Sequence, residues 1–442
     1  MTPISRRTFL TTAATAAGAV TLGCGDRPIG APPFAQLVDD LLPDPASCGI
    51  DHIIVFMMEN RSFDHLLGWL PGADGRQAGL TYVDSGGAPH ATFPLAPDYQ
   101  GCGYADPDHS YTGGRVEYND GACDGWLRVN DVFSIGYYRQ QDLPFLGRAV
   151  TDWTSFDQYF CAILGPTFPN RIYQHAGQTD RIENSTAISQ LPTIWDRLAA
   201  RGLVGRYYYA DLPFLGLWGP KYVPIGRPLD AFYADCAAGT LPHVAFVDGS
   251  FAQELTGTGA DDHPYCDVRA GEAMMNRIYA AVTQSPAWPR SVLVINFDEW
   301  GGFFDHVPPS VAPIPAADQA AGNVDGRRGF RTPTLLVSPF ARPAHTSHVL
   351  YDHTSVLRMI EWRWDLEPLS VRDATANNLA RELQFTLVDS APPPVYSVPD
   401  VTGAPCPVAA TDIVTLTAPR RSAGRAHWAE LGELARRHGW SA

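Results

Sequence analysis

Lysine is almost absent from these 442 residues: Lys221 stands alone among 32 basic residues, against 47 acidic ones, and the formal charge is −15 at pH 7. No broad basic surface is available to neutralise a phosphate backbone, which excludes nucleic acid as a partner. A compact anionic substrate would have to be met by a local cation, and a metal ion is the ready candidate. CxxC spacing is missing from the eight cysteines, Cys24, Cys48, Cys102, Cys123, Cys161, Cys236, Cys266 and Cys406, which argues against a zinc-thiolate centre. Beyond the first two dozen residues no apolar run reaches the about 18 residues of a spanning helix, and no internal repeat is present. Glycine and proline are plentiful instead, 40 and 38, in a chain that is 45% apolar and 18% charged. That is the composition of a large globular unit.

The N-terminus reads Ser5-Arg6-Arg7-Thr8-Phe9-Leu10 and continues in small, weakly apolar residues to Cys24. Residues 1–24 are therefore read as a targeting segment of the twin-arginine type, used by proteins that fold before crossing a membrane. The export machinery is then a partner, and the destination is secreted, periplasmic or envelope-associated. Leu22-Gly23-Cys24 fits a lipoprotein cleavage site and Ala17-Gly18-Ala19 an ordinary one; both stay open. Export favours one or more disulfides. Without Cys24 an odd seven cysteines remain, so at least one thiol is free or intermolecular, and the pairing is not deducible.

In the remaining chain, short β-branched or aromatic runs predict strands at Ile53 to Met58, Arg206 to Tyr209, His243 to Val247, Val292 to Phe297 and Thr334 to Val337. Helical spacing alternates with them at Leu191 to Ala200, Gly271 to Gln284 and Thr354 to Trp364. The alternation predicts an α/β fold, a doubly wound and mainly parallel sheet flanked by helices. One catalytic domain is expected over 45–390, with loops over 71–125 laid across one end of the sheet. Residues 391–442 hold a Pro-rich segment and a C-terminal helix, packed on the core or trailing it.

Two of the predicted strands end alike: the first runs into Glu59-Asn60-Arg61-Ser62 and the fourth into Asp298-Glu299-Trp300-Gly301-Gly302. Side chains at the carboxyl ends of parallel strands share one crevice. Carboxylates and an amide crowded there repel unless a cation binds, and oxygen ligands suit one hard divalent ion, Ca, Mg or Mn, with Zn not excluded. The competing reading is that Glu59 and Asp298 cap helices or pair with Arg61. Thr167, in Gly165-Pro166-Thr167-Phe168-Pro169-Asn170-Arg171, stands at or near a helix N-cap, aimed where an anion is favoured and placed to attack phosphorus. A plain structural cap is the alternative there. His109, His263 and His306 each sit beside carboxylates in loops, and such a histidine can orient phosphate oxygens or protonate a leaving alkoxide. Asp352-His353 reads better as a helix start. The loop aromatics Tyr104, Tyr111, Trp126, Phe133, Tyr137 and Tyr138 fit either a choline cage or small core plugs.

Taken together, MMENRSFDHLLG, DHSY, GPTFPNR, DDHP, DEWGGFFDHVPP and YDHTSVLRMIEWRW resemble the bacterial phosphoesterase family of phospholipases C and respiratory-burst-inhibiting acid phosphatases. The resemblance implies an alkaline-phosphatase-like core with loop-rich insertions and an exported hydrolase of phosphoesters. It implies Glu59, Asn60, Asp298, Glu299 and Thr167 as metal ligands, Thr167 also as nucleophile, and His109, His263 and His306 around the phosphoryl group, one of them as general acid. Asp262 departs from the paired histidines of the acid phosphatases. The substrate implied is a phospholipid, met transiently at a membrane surface, with diacylglycerol and a phosphorylated headgroup as products. A phosphomonoester is the alternative, and a non-catalytic headgroup-binding surface protein the third.

Overall fold

From Ile53 to Met58 every side chain is buried, the signature of a strand covered on both faces. Ile53 and Val55 join one apolar cluster, while Ile54, Phe56 and Met58 join another. The period of two has sorted one strand between two cores. The computed structural model describes residues 42–406 and 427–440, so the export segment 1–24 and Cys24 lie outside the described residues. The main sheet contains β1 (His52–Met58), β2 (Thr154–Phe156), β3 (Gly205–Tyr209), β4 (Gly226–Pro228), β5 (Val244–Asp248), β6 (Ser291–Phe297), β7 (Thr334–Val337) and β8 (His345–Ser347). Their order is β8-β2-β7-β6-β1-β5-β3-β4. Only β7 runs against its neighbours, pairing antiparallel with both β6 and β2. The fourth and fifth predicted strands are thus adjacent but opposed in direction.

One face of the sheet is covered by α2 (Thr167–Ala176), α3 (Ile194–Ala200), α6 (His353–Trp364) and a helix over 427–437. The other carries α1 (Phe63–Leu67), α4 (Leu229–Ala238) and α5 (Val268–Thr283). Each fully buried aliphatic or aromatic side chain contributes about 1.5–3 kcal/mol, so the two layers fix the strands, and with them the strand ends. Asp352 caps α6 by accepting from the Thr354 N–H at 2.8 Å, which bears out the helix-start reading of Asp352-His353. The segment 71–125 is not all loop. A short hairpin pairs Thr81–Val83 with Pro89–Ala91, and Ser110 caps a helix at Tyr111–Tyr118. Gly113 and Gly114 within it dilute the apolar spacing that announces a helix. Cys102 and Cys406 form a disulfide across 304 residues, and the five other described cysteines are unpaired and buried.

Candidate active site

Strand register brings the two predicted strand ends together. Met58 pairs with Phe297 and Met57 with both Asn296 and Asp248, so β1 and β6 release Glu59 and Asp298 at one level, with Asp248, the last residue of β5, beside Met57. Asp298 Oδ1 accepts from the N–H groups of Asn60 at 3.0 Å and Glu299 at 2.7 Å. Gly301 N–H donates to Glu299 Oε2 at 2.7 Å. Asn60 has a φ of 51° and Gly301 one of 65°, and a Cβ on Gly301 would stand 2.1 Å from the Asn60 carbonyl oxygen. Glycine there is a condition of the two strand ends meeting.

α2 supplies the facing groups. Asn170 accepts from Ile163 N–H at 3.1 Å and donates to Gly165 O at 2.8 Å, which pins the bend before the helix. Pro166 is the N-cap residue, and Thr167, at the first helical position, makes no capping bond. Its hydroxyl instead lies 3.4 Å from Glu59 Oε2. One turn on, Arg171 donates to Glu59 Oε1 at 2.6 Å and to Asp248 Oδ1 at 2.8 Å. Arg61 points elsewhere, donating to the Asp262 carbonyl at 2.6 Å. The competing reading of Glu59 as a partner of Arg61 is therefore not realised.

This centre holds more negative charge than its own cations offset. Burial pushes Glu59 well above the usual carboxylate range; Arg171 opposes that push, and Asp298 and Asp261 add to it. Burial also drives Glu299 well above that range and Asp298 up to about 6. Asn60 Oδ1, Asp298 Oδ2 and Glu299 Oε1 are buried with no hydrogen-bond partner. Unpaired buried oxygens of this kind call for an explanation, and a hard divalent ion with oxygen ligands supplies one. The donor set fits such an ion.

A cavity of about 470 Å³ opens beside the cluster, with His109, Thr167, Glu254, His263 and Trp428 in its walls. His109 Nε2 stands 3.9 Å from Glu299 Oε1, and the two imidazoles meet edge to face at 6.2 Å. His263 Nδ1 donates to the Pro264 carbonyl at 2.9 Å. A carbonyl can only accept, so the neutral ring leaves its Nε2 unprotonated. Burial pulls this imidazole down to about 4.

His306 is not brought to the cavity. Its ring lies between Asp64 at 2.5 Å and Asp74 at 3.1 Å. Burial disfavours its imidazolium, but the Asp64 hydrogen bond and the charges of Asp64 and Asp305 outweigh that and raise it. Asp64, Asp305 and His306 cluster closely enough to hold an ion. Arg331, however, pairs with Asp64 at 3.1 Å and with Asp305 at 3.0 Å, so a guanidinium already stands where a metal would. Asp262 also turns away, its carboxylate beneath α5 beside Gly271. Tyr111, Trp126, Phe133, Tyr137 and Tyr138 are buried plugs and line no part of the cavity.

Several site residues escaped the sequence reading. Asp248 carries the same strand-end signal as Glu59, but the predicted strand stopped at Val247. Arg171 follows Thr167 by four, the spacing of helical neighbours, and was legible on that ground. Glu254 and Trp428 carry no local signal.

Known proteins are similar to this chain in sequence. The Phosphoesterase family profile matches residues 50–220 and 220–367. Phospholipase C B of Mycobacterium tuberculosis is 29% identical over 436 residues, covering 80% of each chain. Non-specific phospholipase C6 of Arabidopsis thaliana is 30% identical over 373 residues, covering 74% of this chain and 71% of that one. Among solved structures, a protein in the alkaline phosphatase superfamily from Vibrio parahaemolyticus aligns over 89% of both chains at 9% identity, with a TM-score of 0.38.

Proposed function

This chain belongs to the phosphoesterase family, a hydrolase acting on phosphoester bonds, and from that premise we propose that it is an exported, metal-dependent phospholipase C working through a phospho-threonine on Thr167. The observation that carries the reading is the Thr167 hydroxyl 3.4 Å from Glu59, beside the buried oxygens of Asn60, Asp298 and Glu299 that accept no hydrogen bond, although Arg171 stands 3.6 Å from Asp298. Glu59, Asn60, Asp298, Glu299 and Thr167 would hold one divalent ion. When bound, it supplies charge to offset the phosphoryl oxygens and lowers the pKa of a hydroxyl beside it.

Thr167 gives its hydroxyl proton to Glu59 Oε2, 3.4 Å away, and its oxygen attacks phosphorus, forming the Oγ–P bond as the bond from phosphorus to the leaving alcohol breaks. The N-terminus of α2 faces the developing charge. His109, on the cavity wall, is placed to give the departing alkoxide its proton. His263, neutral with Nε2 free to accept, suits the second half of the reaction: it takes a proton from the water that attacks phosphorus, the Oγ–P bond breaks, Thr167 recovers its proton from Glu59, and the proton on His263 restores the facing His109. His306, tied to Asp64 and Asp74, holds the loop after β6 and takes no part at phosphorus. Arg171 orients Glu59 and Asp248.

Relatives called phospholipase C support a diester of glycerophospholipid type as substrate. Among the described residues no helix is long and apolar enough to cross a membrane, so lipid would be met at the surface. The test is a side-by-side assay on phosphatidylcholine, sphingomyelin, a nitrophenyl diester and a nitrophenyl monoester. Highest kcat/KM on phosphatidylcholine is expected. Preference for the monoester would make the protein a phosphatase instead.

A further inference from the structure

The helix over 427–437 lies far along the chain from every site motif, yet its first turn enters the cavity wall. Trp428 is 7% exposed, and three groups that serve the site rest on it. Its indole N–H donates to Glu254 Oε2 at 2.6 Å. Its ring stacks on Phe251 at 4.4 Å with the planes 4° apart, and Arg171 lies over that same Phe251 ring at 4.5 Å. Its edge meets Phe168, the neighbour of Thr167, at 5.1 Å. Glu254 is buried, its second oxygen has no partner, and Oε2 stands 3.8 Å from His263 Nε2.

We propose that Trp428 is a positioning residue for catalysis: its indole N–H fixes the Glu254 carboxylate against His263 Nε2 while its ring braces Phe251 under Arg171 and Phe168 beside Thr167. An indole N–H is a donor only, so it selects one oxygen of Glu254; burial and the charges of Glu59 and Asp261 raise the Glu254 carboxyl well above its usual range, the indole hydrogen bond opposes that rise, and the ionised form it favours faces the nitrogen of His263 that must gain and lose a proton. A carboxylate held there stabilises the imidazolium formed during turnover and keeps the ring aimed into the cavity. The role rests on the reading of this cavity as a phosphoester-hydrolysing site.

The helix does not depend on this one contact for its docking. Leu431, Leu434 and Ala435 are buried in the core, and Trp440 donates to the Gly219 carbonyl at 2.9 Å. Trp428→Phe therefore keeps a ring in the stack while removing the N–H together with part of the indole's bulk, and Glu254→Gln tests the hydrogen bond with the ring intact.

The test is a double-mutant cycle with Trp428→Phe, Glu254→Gln and both together, with wild-type turnover on the preferred phosphoester as reference. Each single variant should lower kcat by about tenfold or more with KM within about twofold. The double variant should fall no further than the worse single, since both break one hydrogen-bonded unit. Trp428→His, which keeps a ring N–H, should recover part of the loss. Thermal midpoint and metal content should match wild type throughout. Multiplying losses, or a Trp428→Phe enzyme as fast as wild type, would overturn the inference while leaving the functional reading in place. Wild-type protein inert on every phosphoester would instead remove both. If Trp428→Phe lowers the thermal midpoint, Glu254→Gln with Trp428 intact carries the test: reduced kcat at an unchanged midpoint sustains the inference, and full activity overturns it.

Discussion

Gly301 shows how closely the two strand ends are fitted. Any side chain there would meet the Asn60 carbonyl oxygen at 2.1 Å, and the positive φ disfavours one as well. Gly301→Ala should push Asn60 and Glu299 apart without touching either donor. Elemental analysis after loading should then show divalent-ion affinity lowered by about 10- to 100-fold, as when the support of a metal ligand is lost. Glu59→Gln and Asp298→Asn should lower it at least as far, and unchanged metal content in all three would remove the assignment. These residues were legible in the sequence because each follows a buried apolar run at once, and a strand end is a defined place. Asp248 was lost by one residue of strand length. Glu254 was not legible because a loop places it, and its partners Trp428 and His263 come from distant parts of the chain.

Among elements, α6 offers a clean test of what holds the helical layer. Asp352 caps it and is 1% exposed, and it receives Arg328 at 2.6 Å and Arg372 at 2.9 Å. Burial disfavours its charge, but the two guanidinium groups outweigh that and hold the carboxyl below the usual range. A depressed carboxyl pKa contributes stability above its unfolded value of about 3.9 and loses it as pH falls through the folded one. Asp352→Asn keeps the capping oxygen but removes the carboxylate paired with buried Arg372 at 2.9 Å. It should cost about 3–5 kcal/mol in denaturant unfolding near pH 7, and the difference from wild type should shrink as pH drops below about 4. An equal difference at both pH values would mean that the cap, not the charge, is what matters. The helix was readable from its start signal. Strand β7 was readable as a strand but not as an antiparallel one, because direction is set by the connections around it. β2, β4 and β8, of three residues each, are too short for a period to register.

Across the whole molecule, alternating strand and helix patterns foretold the layered α/β architecture, since each buried run had to be covered on both faces. What the pattern could not foretell is that the C-terminal helix would return to the cavity, because long-range packing leaves no periodic trace. The claim on which the account turns is that the hydroxyl at the mouth of α2 attacks phosphorus. It is tested most directly by kcat of Thr167→Ala in metal-loaded, folded protein on the best phosphoester. A loss of at least about a thousandfold is expected, with Thr167→Ser partly active. A Thr167→Ala enzyme within about tenfold of wild type would contradict it.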